Sequence, residues 1–402
     1  MAVLGDYIKV KHGYAFKGEF FSTDDNGVVL ITPGNFAIGG GFKQDKCKFF
    51  TSTFSGDYVL HEDDLIVTMT DLSKNIDTLG YSALIPNSNR IYLHNQRIGL
   101  VQFLSDKLDK HYLYWFMRTE FYQKTIAGTS SGSTVHHTSP DRICAVEISP
   151  PDIVEQTKIA NILDNIENKI ANNHRINKNL EQQAQAIFKS WFIDFHPFGG
   201  NRPIDWVTGI VDDLGAEIIC GKTPSTKRKE YYGGNTPFIT IPDMHGCVYN
   251  VSTERYLSAA GMASQPKKTL PPNTVCVSCI GTAGLVTLVS EKSQSNQQIN
   301  SIVPKEGISA YYIYLLMQTL SETINKLGQS GSTIVNLNKT QFGKIPVTIP
   351  SEQVLCNFDT LCKPLFEMIL SNQKENINLA NLRDTLLPKL MSGELDVSDI
   401  DI

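Results

Sequence analysis

Between Glu155 and Phe192, apolar or small side chains recur at alternating steps of three and four: Ile159, Leu163, Ile166, Ile170, Leu180, Ala184, Ile187 and Trp191. In the middle the same rhythm lands on Asn173 and Asn177. Steps averaging about 3.5 residues put these side chains on one narrow seam of a helix, the pattern of a coiled coil. Asp152 and Glu155, just after Pro150 and Pro151, predict a capping box at its start. A second copy ends the chain: Leu355, Phe358, Cys362, Leu365 and Ile369, then Asn372 and Asn376, then Leu379, Leu386 and Leu390. If the helices lie antiparallel, the asparagine pairs meet and share hydrogen bonds, which costs stability and fixes register. The plainer alternative is two unrelated amphipathic helices with solvated asparagines.

Outside these helices the pattern changes to short β-branched and aromatic runs separated by Gly, Pro, Asn and Asp clusters, with one or two helices interspersed. This pattern repeats at a period of about 200 residues, far longer than a solenoid unit. Leu4-Gly5 is echoed by Leu214-Gly215, and VVLITP ending at Pro33 by FITIP ending at Pro242. Asn95-Gln96-Arg97-Ile98 returns as Asn296-Gln297-Gln298-Ile299, and YLYWFM (112–117) as YIYLLM (312–317). Gly132-Ser133-Thr134-Val135 returns as Gly331-Ser332-Thr333-Ile334. The expected fold is α+β: two β-rich domains, 1–151 and 197–350, in pseudo-two-fold repeat. Two long helices, 152–196 and 351–402, separate them and form an antiparallel coiled coil. The linker from Phe195 to Pro203 ends the first helix with Pro and Gly, and the acidic tail from Gly393 is expected to be loosely held.

Composition narrows the class. The 402 residues suffice for two or three domains, and 41% hydrophobic with 19% charged is ordinary for a globular protein. No apolar run approaches the roughly twenty residues that span a bilayer. The N-terminus lacks the layout of a signal peptide, and eight scattered cysteines suit a reducing cytoplasm. Cys276 and Cys279 form a CxxC inside a predicted strand, with no second pair to complete a zinc site. The net charge is −5, with +3 over residues 199–350. A dedicated nucleic-acid binder is usually more basic, unless its cations gather on one face or a partner supplies them. Enzyme motifs fail. Gly221-Lys222-Thr223 has Ala216 where a phosphate-binding loop needs its first glycine. No adenine-methyltransferase segment occurs, and neither Pro140-Asp141 nor Pro242-Asp243 is followed by the acid and lysine of a nuclease. No Ser/His/Asp or Cys/His set can be assembled.

QAIFKSWFIDFHPFGG (185–200) and LRDTLLPKLMSGEL (382–395) resemble the central and C-terminal segments of the specificity subunits of type I restriction–modification systems. DLIVTMTD from Asp64 and GKTPSTKRKEYYGGNTPFITIPDM from Gly221 are similar to recurring segments of that family's target recognition domains. The resemblance covers essentially the whole chain. It implies a non-catalytic cytoplasmic subunit, bacterial or archaeal, that binds a split double-stranded DNA sequence with one half per globule. It further implies docking of methyltransferase subunits, two of them, and of restriction subunits. Those partners, not this chain, would hold S-adenosylmethionine, ATP and Mg. A helix of about 38 residues is roughly 57 Å long, against about 34 Å for a turn of DNA, so paired helices are long enough to act as a ruler between two readers.

Side chains common to both halves cannot explain why the halves read different sequences. Asn95-Gln96 and Asn296-Gln297 can pair with adenine, but being shared they read as structural. Ser133, Thr134, Ser332 and Thr333, also shared, suit contact with the DNA backbone, or else form a plain Ser/Gly surface loop. Base-reading candidates lie where the halves differ. They are Lys43, Lys46, Ser73, Lys74, Asn75, His136 and His137 in the first, and Lys222, Thr226, Lys227, Arg228, Lys229 and Tyr231 in the second. Each basic cluster is alternatively a solvated face. Trp191, Phe192 and Phe195, if outward, would be partner surface. Two other classes stay open: a non-catalytic protein-binding scaffold with a coiled-coil spacer, which the acidic balance favours, and an independent enzyme whose site the sequence does not reveal.

Overall fold

Both seams fold as single helices of 40 residues, Ile153–Phe192 and Glu352–Met391, each about 60 Å long at 1.5 Å per residue. Asp152 starts the first: its Oδ1 accepts the N–H groups of Val154 and Glu155, both at 2.9 Å. The computed structural model describes residues 2–45, 47–71, 73, 76–132, 135–329 and 335–400. The chain divides into two units, each taking part of both long helices. Unit 1 comprises Met1–Asn168 and Leu379–Ile402, and unit 2 comprises Lys169–Asn378.

In unit 2 the helices run antiparallel. Asn173 Nδ2 donates to Asn376 Oδ1 and Asn372 Nδ2 to Asn177 Oδ1, both at 2.8 Å, so one residue number rises by four as the other falls by four. All four amides are buried. The Asn376 and Asn177 oxygens are thereby satisfied across the helix pair, which fixes the register, while Asn173 Oδ1 is buried with no partner among the described residues. Asn173 also donates to Glu375 at 2.7 Å, and Lys169 closes the group at 3.3 Å from the same carboxylate. In unit 1, Arg383 Nη1 meets Glu167 Oε2 at 2.8 Å. Of the seam residues, Ile159, Leu163, Ile166, Leu355, Phe358, Cys362, Ile369 and Leu390 are buried; Ile170, Leu180, Leu365, Leu379 and Leu386 are half-buried.

The seam departs from the sequence reading at the end of the first helix. There the buried positions are Ala184, Phe188 and Phe192, while Ile187 and Trp191 are only half-buried; likewise Phe366 is buried beside half-buried Leu365. A straight helix of 3.6 residues per turn drifts from a 3.5 repeat, and steps of four take over where the helix packs on a globule. Trp191, Phe192 and Phe195 therefore face inward: Phe192 lies 4.8 Å from the ring of Tyr312 and 5.6 Å from that of Trp206, and Phe195 lies 5.8 Å from Trp206. They are core, not partner surface. The tail is also held. Val397 is buried in the core of unit 1, and Lys158 Nζ donates to the carbonyl of Ser398 at 2.6 Å.

The two globules share a plan. Unit 1 has an antiparallel sheet in the order Ile8–His12, Ile98–Phe103, Leu65–Thr68, Ser82–Leu84. Unit 2 orders Gly215–Cys220, Ile299–Pro304, Val275–Ser278 and Val286–Val289 in the same way. Each second sheet contains a parallel pair, Val28–Leu30 with Ile91–Leu93 and Tyr232–Ile239 with Gln294–Ser295. Helices Lys110–Phe116, Glu120–Gly128 and Pro140–Cys144 return as Ala310–Thr319, Ser321–Gly328 and Lys339–Gly343. Gln156 ties the first long helix to unit 1: its Oε1 accepts the Asp109 N–H at 2.8 Å, and its Nε2 donates to the Lys107 and Pro151 carbonyls. Cys276, in the strand Val275–Ser278, and Cys279, just after it, are buried in different cores, and burial pushes both thiols up to about 12. Among the described residues no helix is long and apolar enough to cross a membrane.

Candidate nucleic-acid interface

The same backbone crossing is built in each unit. In unit 1 the strand Ile8–His12 ends at Gly13, where the chain passes over the Asn-Gln segment: Tyr14 N–H donates to the His94 carbonyl at 2.8 Å and Gln96 N–H to the Tyr14 carbonyl at 2.9 Å. A Cβ at Gly13 would lie 2.3 Å from the carbonyl oxygens of His94 and Asn95, so only glycine fits. In unit 2 the strand Gly215–Cys220 ends at Gly221, where Lys222 N–H donates to the Ser295 carbonyl at 2.9 Å and a Cβ would lie 2.1 Å from the Asn296 carbonyl. The glycine of Gly221-Lys222-Thr223 thus serves this crossing.

A third segment completes each crossing. Met69 N–H donates to the Arg97 carbonyl at 3.0 Å and Thr138 N–H to the Met69 carbonyl at 3.1 Å. The counterparts are Cys279 to Gln298 at 2.8 Å and Leu337 to Cys279 at 2.9 Å. Asn95 and Asn296 are buried, and Asn296 bonds Gln298 through both its amide atoms at 3.0 Å. Gln96 and Gln297 are exposed.

In unit 1 this arrangement brings several candidates together. Thr70–Asp71 pairs with His136–His137, and Thr70 Oγ1 lies 3.2 Å from His137 Nδ1. Buried Asp71 accepts the N–H groups of Ser73, at 2.6 Å, and of Thr78 and Leu79. Burial alone would raise the pKa of this carboxyl, but the backbone donors outweigh it and hold it below the ordinary aspartate value. Ser73, Thr78 and Leu79 are therefore held to Asp71 through their backbone. An open cleft of about 480 Å³ lies over the crossing, lined by His12, Thr70, Gln96, Arg97 and His137 among others. Lys43 does not line it; this exposed side chain pairs with Asp45 at 3.3 Å. Lys46, Lys74, Asn75, Ser133, Thr134, Ser332 and Thr333 lie outside the described residues.

In unit 2 the candidates share one loop beside the crossing. Lys222, Thr226, Lys227, Arg228 and Lys229 are exposed. Arg228 lies over the Tyr231 ring, 5.4 Å from its centroid, and donates to its hydroxyl at 2.7 Å. Thr223 Oγ1 donates to Gln297 Oε1 at 2.7 Å, which joins the loop to the exposed glutamine. The candidates drawn from the sequence omit Arg97 and Thr70. For Arg97 the signal was present: directly after the shared Asn-Gln, the repeat diverges to Arg97 in one half and Gln298 in the other.

The family profile of the type I restriction modification DNA specificity domain matches residues 2–182 and 203–356. The chain is 35% identical over 345 residues to the specificity subunit of the type I restriction enzyme HindI of Haemophilus influenzae, covering 69% of this chain and 75% of that protein. It is 26% identical over 311 residues to the MjaIX specificity subunit of Methanocaldococcus jannaschii, covering 73% and 71%. The crystal structure of a type I restriction–modification S subunit from M. genitalium aligns over 96% of this chain and 94% of that one, with a TM-score of 0.62 at 16% identity. At that identity the likeness speaks to the fold.

Proposed function

The chain belongs to the type I restriction modification DNA specificity family, and we propose that each of its units reads one half of a split duplex DNA site while the chain itself performs no catalysis. The observation that carries this reading is the twin crossing. Its frame is the same in both units, Gly13 with Asn95 and Gly221 with Asn296. The side chains around it differ, with Thr70, Arg97 and His137 set against Ile280, Gln298 and Asn336. A constant frame with variable side chains is what two readers of unlike sequences require, since frame contacts position and edge contacts specify. The exposed cations from Lys222 to Lys229 gather positive charge beside the unit 2 crossing that the whole-chain charge does not suggest.

On this reading the partners are methyltransferase subunits, two of them, and restriction subunits, in the cytoplasm. S-adenosylmethionine, ATP and Mg belong to those partners. The helix pair sets the gap between half-sites. The test maps modified adenines in a genome carrying this gene with its neighbours, where a two-part motif with a fixed gap is expected. Inserting one heptad into both helices, about 10 Å, should lengthen the tolerated gap by up to roughly three base pairs at about 3.4 Å each. An unchanged gap removes the ruler; the absence of any split motif removes the whole reading.

A further inference from the structure

We propose that Arg97, with His137 beside it, is the residue by which unit 1 recognises a guanine-bearing base pair, an assignment that rests on the split-site reading above. Arg97 is rooted at the crossing while its side chain lines the cleft. Its carbonyl accepts the Met69 N–H at 3.0 Å, which fixes the Cα at the crossing. Its exposed guanidinium has no ion pair or hydrogen bond among the described residues and lines the open cleft. Other arginines of unit 1 are committed: Arg90 to Asp25, Arg118 to the Gly39 carbonyl and the Tyr114 hydroxyl, and Arg142 to Ser131 and the His137 carbonyl.

The counterpart in unit 2 shows what a non-reading side chain looks like at the same position. Gln298 is turned inward, its Oε1 accepting from Asn296 at 3.0 Å and its Nε2 donating to the Ile280 carbonyl at 3.4 Å. A phosphate contact would be wanted by both halves alike, whereas a base contact must differ between them, and this position differs. The planar fork of arginine matches the two acceptors, O6 and N7, on the major-groove edge of guanine. His137 lines the same cleft with Nδ1 turned to Thr70 at 3.2 Å, and its Nε2 has no hydrogen bond among the described residues. Its counterpart, Asn336, is again a different residue.

The test uses the full chain assembled with its methyltransferase subunits. Methylation is mapped genome-wide and binding is measured by competition between duplexes that differ at single positions. Replacing Arg97→Gln, the residue unit 2 carries there, should relax one G·C pair in one half-site. Discrimination at that pair should fall by about 5- to 150-fold, the range a bidentate contact supplies. The other half-site and the gap should stay unchanged, and His137→Asn should alter the same half-site. Equal weakening on every duplex with the motif intact would make Arg97 a phosphate contact and overturn the proposal. So would an unaltered motif, or a half-site containing no G·C pair that responds. If Arg97→Gln fails to assemble, Arg97→Lys, which keeps the charge and loses the fork, distinguishes base contact from phosphate contact in the same way. A wild-type complex with no split motif would instead refute the function on which this inference stands.

Discussion

His111 in unit 1 and Tyr311 in unit 2 occupy the same turn of equivalent helices, two residues after the N-caps Asp109 and Ser309. His111 Nδ1 meets Asp164 Oδ2 of the first long helix at 2.6 Å and its Nε2 meets Asp63 Oδ1 at 3.3 Å, while Trp115 donates to the other oxygen of Asp164 at 2.7 Å. Tyr311 instead stacks on Phe366 of the second long helix, with centroids 4.5 Å apart and planes at 13°. Beneath it Phe188, Phe192, Tyr312 and Phe358 pack ring against ring. At this position one backbone plan thus meets its long helix through charge and hydrogen bonds in unit 1 and through a stacked aromatic pair in unit 2. A repeated fold keeps its strand order, its caps and its crossing glycines, because those are backbone requirements. It leaves the chemistry of the joint free to diverge.

The aromatic joint should be the more sensitive to truncation. Phe358 is fully buried, so Phe358→Ala removes transfer free energy and leaves a cavity, together about 3–5 kcal/mol. Denaturant unfolding with hydrogen exchange resolved by residue should place this loss in unit 2. An equal loss of protection in the Lys110–Phe116 helix of unit 1 would mean that the two joints are not independent.

The asparagine ladder of unit 2 comes next in size. Asn173→Leu strands the Asn376 amide, at a cost of about 1–3 kcal/mol. Adding Asn376→Leu should recover most of that, because removing both amides leaves no stranded polar group between the pair. The cost to specificity would appear as loss of the single register that Asn173–Asn376 and Asn177–Asn372 define. Stability of the double variant equal to that of the single one would show that the ladder contributes no pairing.

Much of this was legible in the chain. The 3.5-residue period with paired asparagines marked both helices and, through them, the antiparallel register. The echo of Asn95-Gln96 in Asn296-Gln297 marked the twin crossing. What stayed hidden depended on contacts distant in sequence. Whether Ile187 or Phe188 turns inward is decided by the globule through Tyr312 and by the second long helix through Phe358, and periodicity does not carry that information. Val397 in an acidic tail looks like one stray apolar residue until it enters a core with Leu390 and Leu163. Among the candidate site residues, basic clusters were easy to see. The pairing of Thr70–Asp71 with His136–His137 was not, since only folding brings those segments together.

The smallest expected effect separates the joints most cleanly, because it has a sign. The hydrogen bond to Asp164 raises the pKa of His111 above the ordinary imidazole value; burial opposes this, and the charges of Asp164, Asp63 and Asp109 add to it. Lys110 also pairs with Asp63, so the imidazolium shares that carboxylate with a permanent cation. A raised histidine contributes stability that is fully present below its unfolded value, about 6.5, and is lost as the pH rises through the folded one. With the side chain 36% exposed, screening limits the contribution to at most about 1 kcal/mol. Tyr311 at the equivalent place has its pKa raised by burial, so it stays neutral over that range. Raising the pH from about 6 to about 9 should therefore loosen the Lys110–Phe116 helix and leave Ala310–Thr319 as it was. Hydrogen exchange corrected for its intrinsic pH dependence reads both helices in one experiment. In His111→Phe the difference should vanish, since the joint then holds a ring that does not titrate; a pH response that survives this substitution would assign the effect to a group other than the imidazole.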